Sequence, residues 1–281
     1  MPRYDTPRPI SVVIDIPVGD VRIAGGDRTD TVVEVRPRDE SDDDDVRAAE
    51  ETTVSFSDDR LTVKGARGRA WLGWTRSGSV DVTIELPAGS HVDGTIGVGA
   101  FACEGRLGDC RLRTGVGDVR VDRAGAVELK TGTGDVTLDL ATGHAEVAAG
   151  TGHVRLRELD HSGVVKNATG DIWVGSVAGD LRVSVASGSI SVDRAETNVG
   201  AKSATGDVRL GEVVRGSVVL ETHAGDLEVG IREGTAAWLD VRSTTGSVHN
   251  ALEAAEAPDP SSPSVEVRAR TTVGDVAIRR A

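Results

Sequence analysis

From about residue 110 onward the chain alternates apolar and polar residues at every second position, and each pair of such runs meets at a glycine. The clearest copies are LKTGTGDVTL at 129–138, VKNATGDIWV at 165–174 and AKSATGDVRL at 201–210. Anchored on the glycine before the aspartate, or before its replacement, copies fall at Gly117, Gly134, Gly152, Gly170, Gly188, Gly206, Gly225, Gly246 and Gly274, with spacings of 17, 18, 18, 18, 18, 19, 21 and 28. Looser copies are read at Gly19, Gly78 and Gly99. Two residues after the anchor stand Val119, Val136, Val154, Ile172, Ile190, Val208 and Leu227, and five before it stand Leu112, Leu129, Val147, Val165, Val183 and Leu220. The intervening position three after the anchor is mixed: Arg120, Thr137, Arg155, Trp173, Ser191. Period two on both sides of a glycine turn predicts two short strands per repeat, each with one face inward and one wet.

A unit of about 18 residues cannot bury its own apolar face, but stacked units bury a continuous ladder. The pattern predicts an all-β, Gly-rich β-solenoid, a β-helix-like rack. A serial antiparallel meander would show the same alternation, because periodicity does not give strand direction. One repeat domain over 1–281 is expected, with irregular N-terminal repeats and an acidic insert over 1–98 and regular repeats over 99–281. The insert DESDDDDVRAAEE at 39–51 joins acidic residues, which suit a helix N-terminus, to good helix formers, so one short surface helix is expected there. The segment EAAEAPDPSSPS at 253–264 reads as a loop.

The repeated phrases, with GRAWLGWTRSGSVDVTIELPAGS upstream, resemble the bacterial β-strand-repeat family of unknown function labelled candidate adhesin and also called toastrack-like. The resemblance covers nearly the whole chain. It implies a repetitive β rack, no established enzymatic activity, and a binding or scaffold role in envelope or stress systems toward a protein or glycan partner. Members often carry signal peptides, membrane helices or lipoprotein anchors.

Composition narrows the chemistry. Of 281 residues, 45 are acidic against 32 Lys plus Arg, a net charge of −13, which argues against nucleic acid as the main ligand. Aromatics are 2% and there are 35 glycines, so the core is expected to be Val, Leu, Ile and Ala. No stretch has the length of a signal peptide or a membrane span, so a cytoplasmic location is expected. Two cysteines form no disulfide framework; Cys103 and Cys110 fall on inward rows and read as buried small apolar residues.

The row directly after the anchor holds Asp20, Asp118, Asp135, Asp171, Asp207, Asp226 and Asp275, with Ser79, Ala100, His153, Ser189 and Ser247 elsewhere. Calcium between stacked turns is one reading of such a row; aspartates bonding the backbone N–H groups of the turn are the other, preferred because no second carboxylate stands nearby. Lys130, Lys166 and Lys202 each precede Asp135, Asp171 and Asp207 by five residues, and in the intervening copies both members are missing. That pairing predicts charge compensation across the turn and leaves open a 36-residue double repeat. The six histidines show no metal-ligand spacing, and neither a metal nor a cofactor is expected. No serine-hydrolase, Rossmann or P-loop motif is present; a polysaccharide-active enzyme on a β-helix, using paired carboxylates, is the alternative function. For binding, the sequence singles out Arg67, Arg69, Trp71, Trp74 and Arg76, a basic, Trp-containing segment in an acidic chain, with Trp173 a weaker candidate. The same tryptophans could instead cover an open solenoid end. Trp238 is expected in a widened turn. Uncapped ends would let copies stack, so weak self-association through the solenoid ends, or a self-associating structural role, is a further expectation.

Overall fold

The computed structural model describes residues 2–65, 78–252 and 263–281. These form 26 strands and one helix, and the contacts divide the chain into two compact units, Met1–Thr142 and Gly143–Ala281. The repeat rule runs through position 142 unchanged, so nothing in the pattern marks that boundary.

The second unit shows the rule at its plainest. Each coil has one strand before the anchor glycine and one after it: Ala145–Thr151 with Val154–Leu159, Gly163–Thr169 with Ile172–Val177, Leu181–Ser187 with Ile190–Ala195, and Val199–Thr205 with Val208–Val213. Strands of successive coils pair in parallel, in register: Val147 lies opposite Val165, Val165 opposite Val183 and Val183 opposite Ala201. The parallel register excludes the meander and fixes one coil at one 18-residue repeat, so the 36-residue alternation is a decoration of coils rather than their length. The inward rows are buried, Val165, Val174, Leu156 and Val147 completely so. Each buried Val, Leu or Ile contributes about 1.5–3 kcal/mol by leaving water.

Glycine at the anchor is required by two facts together. Gly206 has φ +137°, and a Cβ there would collide with the backbone carbonyl of Gly188 in the neighbouring coil. Side chains larger than hydrogen meet both penalties at once.

The last coils depart from sequence order. The C-terminal strands Ser264–Val273 and Val276–Arg280 pair in parallel with Gly216–Ala224 and Leu227–Ile231 on one side and with Ala236–Thr245 and Val248–Asn250 on the other. They are inserted between two coils adjacent in the chain. The linker from Ile231 to Ala236 therefore skips a rung. Arg280 clasps it, its Nη1 donating to Arg232 O at 3.1 Å and Thr235 O at 2.9 Å, while Thr235 Oγ1 donates to Val214 O at 3.0 Å.

The first unit repeats the device. The 16-residue strand Ser11–Gly26 turns the corner at Gly19 without a break. It lies between the coil of Arg60–Lys64 and Val80–Pro87 and the coil of His91–Val98 and Phe101–Arg106. Gly19 lies opposite Val80, so the copy read at Gly78 is offset by two residues and Gly78 is not a corner. Antiparallel strands lie further outward: Asp30–Pro37 on Val80–Pro87, Arg3–Asp5 on Asp30–Pro37, and Thr53–Ser57 on Arg60–Lys64. Tyr4 and Phe56, on the outermost strands of the two sides, stack with ring centroids 4.9 Å apart. They close this end of the core. The expected helix is Asp43–Glu51; Asp42 caps it by accepting from the Asp44 N–H, and Asp43, Asp44 and Asp45 fill its first turn. Asp45 also accepts the Ser79 N–H at 2.6 Å, tying the helix to the outermost coil.

Candidate ligand-binding face

At the corners, the aspartates lean along the stack. Asp118 Oδ1 accepts the Asp135 N–H at 2.8 Å, Asp171 the Ser189 N–H at 2.8 Å, Asp207 the Asp226 N–H at 2.8 Å and Asp226 the Asp275 N–H at 2.7 Å. Asp20 does the same for Ala100, and Asp275 for Ser247. The bonds from Ser247 hold the Asp275 carboxyl below the usual carboxylate range. His153 takes the slot by accepting from the Asp171 N–H through Nδ1 at 3.3 Å. The charge pairing expected between Lys202 and Asp207 does not form: Lys202 Nζ lies 2.8 Å from Glu221 of the next coil. The lysine leaves the outer face of a strand, while the aspartate turns along the corner toward a backbone donor.

Sequence reasoning missed a second, buried ladder, three residues before the anchor. The hydroxyls of Thr114, Thr131, Ser203, Thr222 and Thr271 donate to the carbonyls of Gly99, Gly117, Gly188, Gly206 and Gly225 at 2.9–3.1 Å. Asn167 uses its amide in the same way toward Gly152 at 2.8 Å. The signal was a polar residue in phase with the inward apolar rows. Ala149 and Val185 replace it in the two copies that lack Lys and Asp. The alternation of coils is therefore an alternation in how the corner is held.

The tryptophan and arginine segment chosen from sequence, Arg67, Arg69, Trp71, Trp74 and Arg76, lies outside the described residues, as does most of the 253–264 loop. Trp173 is half-buried on the outer face of its strand, with Nε1 donating to Asp193 at 3.2 Å and the Arg155 guanidinium 6.0 Å from the ring. Trp238 sits in the strand Ala236–Thr245, not in a turn, and is 57% exposed. Cys103 and Cys110 are free and buried; burial pushes both thiols up, Cys110 to about 12, which removes the thiolate chemistry a nucleophile needs.

A concave region of about 670 Å³ opens on the outer face of the second unit. Its floor is one row of side chains, one per coil: Ser184, Lys202, Glu221, Arg270 and Arg242, in ladder register. At the strand spacing of about 4.8 Å the row runs about 19 Å. Beside it Ala204, His223, Thr272 and Thr244 form a shallower row. Lys202 pairs with Glu221, while Arg270 and Arg242 share Asp240 at 3.3 and 3.2 Å. Three cations thus stand against two carboxylates, a local excess of positive charge on a chain of net charge −13.

In the first unit the corresponding outer face carries a hub. Glu128 receives Arg111, Arg113 and Lys130 at 2.7–2.8 Å, and these three, Lys130 first, hold its carboxyl down at about 2. Among the described residues no group of three or more His, Cys, Asp or Glu could hold a metal. No helix among them is long and apolar enough to cross a membrane.

Two parallel strands per coil, glycine corners and hydrogen-bond ladders along the stack define a β-solenoid repeat protein. The chain belongs to the toastrack family DUF4097, whose profile matches residues 11–279. A search among curated proteins finds no match. Among solved structures, a candidate cell adhesion protein from Clostridium sporogenes aligns at 10% identity over 100% of this chain and 98% of its own, with a TM-score of 0.22. Candidate adhesins from Parabacteroides merdae and Bacteroides fragilis align at 10% and 11% identity over 100% and 99% of this chain, and 95% of each of theirs, with TM-scores of 0.39 and 0.36. At such scores the assignment rests on the family match.

Proposed function

We propose that the protein is a non-enzymatic binding module whose contact surface is the concave outer face of the second unit, and that its ligand is a glycan bearing anionic groups. The observation that carries this is the five-coil row Ser184, Lys202, Glu221, Arg270, Arg242 with its excess of positive charge. Among the described residues that line it, the hollow offers charge and hydroxyls with no Trp, Tyr or Phe, which suits a polar polymer better than the apolar hot spot of a protein partner. A rung every 4.8 Å or so lets one repeating ligand meet the same chemistry several times. Among the described residues, the carboxylates displaced from their ordinary range, Asp30, Asp39, Glu128 and Asp275, all move down, opposite to what the general acid of a glycosidase needs. The envelope or stress link implied by the family, and the cytoplasmic location read from the sequence, belong to this proposal; fractionation of native cells tests the location.

Calorimetric titration with a polyuronate and with a neutral glucan, on the wild type and on a Lys202→Glu, Arg270→Glu variant, tests the ligand. The polyuronate is expected to bind the wild type, to lose at least tenfold in affinity to the variant and to weaken with salt. Equal binding of both polymers, or an unchanged variant, would overturn the proposal.

A further inference from the structure

We infer that the outermost coil of the second unit is a self-complementary docking edge, and that its partner is a second copy of this chain related by a two-fold axis at Val241. This goes beyond the glycan-binding proposal and does not depend on it. The strand Ala236–Thr245 is the longest strand of its unit together with Ser264–Val273, which is its ladder partner among the described residues. No other described strand pairs with its outer edge, whose backbone groups are a template for another strand. Its inward residues show that the core stops there: Leu239 and Val241 are only half-buried, whereas Val267 and Ala269, directly beneath them, are fully buried. Beyond the corner Val248 is 49% exposed.

The edge also carries a charge code. Trp238, Asp240, Arg242 and Thr244 point to the outer face, and Leu239, Val241 and Ser243 inward. A two-fold contact joins a strand to itself antiparallel, and residues directly opposite share a face. Centred on Val241, the pairing sets Asp240 against the partner's Arg242 and Arg242 against the partner's Asp240, with Leu239 against the partner's Ser243. Centred one residue earlier, it opposes Asp240 to Asp240; centred one later, Arg242 to Arg242. Like charges directly opposite destabilise an antiparallel pair, so the charges select one register of the three. In that register the two hollows lie on the same face of a joined sheet, since Arg242 and Thr244 line the hollow and the edge alike.

Analytical ultracentrifugation across a concentration series tests this without any ligand. The wild type is expected to show a monomer–dimer equilibrium. Asp240→Arg alone and Arg242→Asp alone each oppose like charges twice and are expected to weaken self-association by about tenfold or more. An equimolar mixture of the two variants restores opposite charges at both positions and is expected to form a heterodimer. A wild type that stays monomeric, variants that associate as the wild type does, or a mixture no better than its components would each overturn the inference. Circular dichroism on each variant separates lost folding from lost association. Glycan binding by the monomeric Asp240→Arg variant, whose substitution lies outside the lining of the hollow, leaves the proposed function standing, and a wild-type dimer without glycan binding leaves this inference standing.

Discussion

The coil of Arg60–Lys64 and Val80–Pro87 and the coil of Ala236–Thr245 and Val248–Asn250 are each outermost in their own unit, and each covers a terminal segment inserted beneath it. In the first, Leu61, Val63, Ile84 and Leu86 are fully buried; in the second, Leu239 and Val241 are half-buried. The difference lies in the elements stacked on the outer side of each coil. The first has three antiparallel strands, a helix and the Tyr4–Phe56 stack. The second has no strand on its outer edge among the described residues. Repeats supply a core only between coils, so the character of an end is set by residues that do not obey the repeat.

Core truncation should break this comparison most sharply. Ile84→Ala is expected to destabilise the first unit by about 3–4 kcal/mol, and Leu239→Ala the second by about 1 kcal/mol, read by urea denaturation monitored through hydrogen exchange. Equal costs would mean that the second end is covered in solution. The corners give the next contrast. Gly19 and Gly246 have nearly the same φ, +148° and +147°, and a Cβ on either would meet the backbone of a neighbouring coil. Gly19 is held between two coils and cannot swing away, so Gly19→Ala is expected to cost about 3 kcal/mol, and Gly246→Ala, on a coil with one neighbour, about 1 kcal/mol. Melting curves of the two variants measure the difference.

The smallest effect concerns acid. The Glu128 carboxyl, held near 2 by Lys130, Arg113 and Arg111, titrates below its unfolded value of about 4.3. Its contribution is present above that unfolded value and is lost as pH falls toward 2. Because the site is at the surface, about 1 kcal/mol is expected. Hydrogen exchange in the first unit should loosen between pH 5 and 2, and the Glu128→Gln variant should lack that dependence on pH.

Much of the coil was legible in advance. Rows such as Val147, Val165 and Val183 announce strands and burial because a solenoid repeats one environment, and the acidic run before Val46 announces the helix. What was hidden depends on pairings distant in the chain. Nothing local says that Arg270 lies between Glu221 and Arg242, so the hollow could not be found; sequence order would set Arg242 beside Glu221. The spacings of 21 and 28 residues were the trace of that insertion. Tyr4 and Phe56 meet across strands 52 residues apart, and neither sits in a repeat. Gly78 lies two residues before the true corner, where the register places Val80, so a glycine near the right phase does not by itself mark a corner.

The interleaving of Ser264–Arg280 also bears on how a ribosome makes this protein. When Ala236–Asn250 emerges, the strands that belong beneath it have not been synthesised. Its nearest resting place is then Gly216–Ala224, with Leu239 over Val218 in the same inward row, a rung that later belongs to Ser264–Val273. The nascent chain can thus hold a coil in a berth it must give up, and the final stack is reached only when Val276–Arg280 arrives and Arg280 grips the linker at Arg232 and Thr235. In this part of the stack the order of synthesis and the order of the coils differ, because the last strands made lie beneath strands made before them.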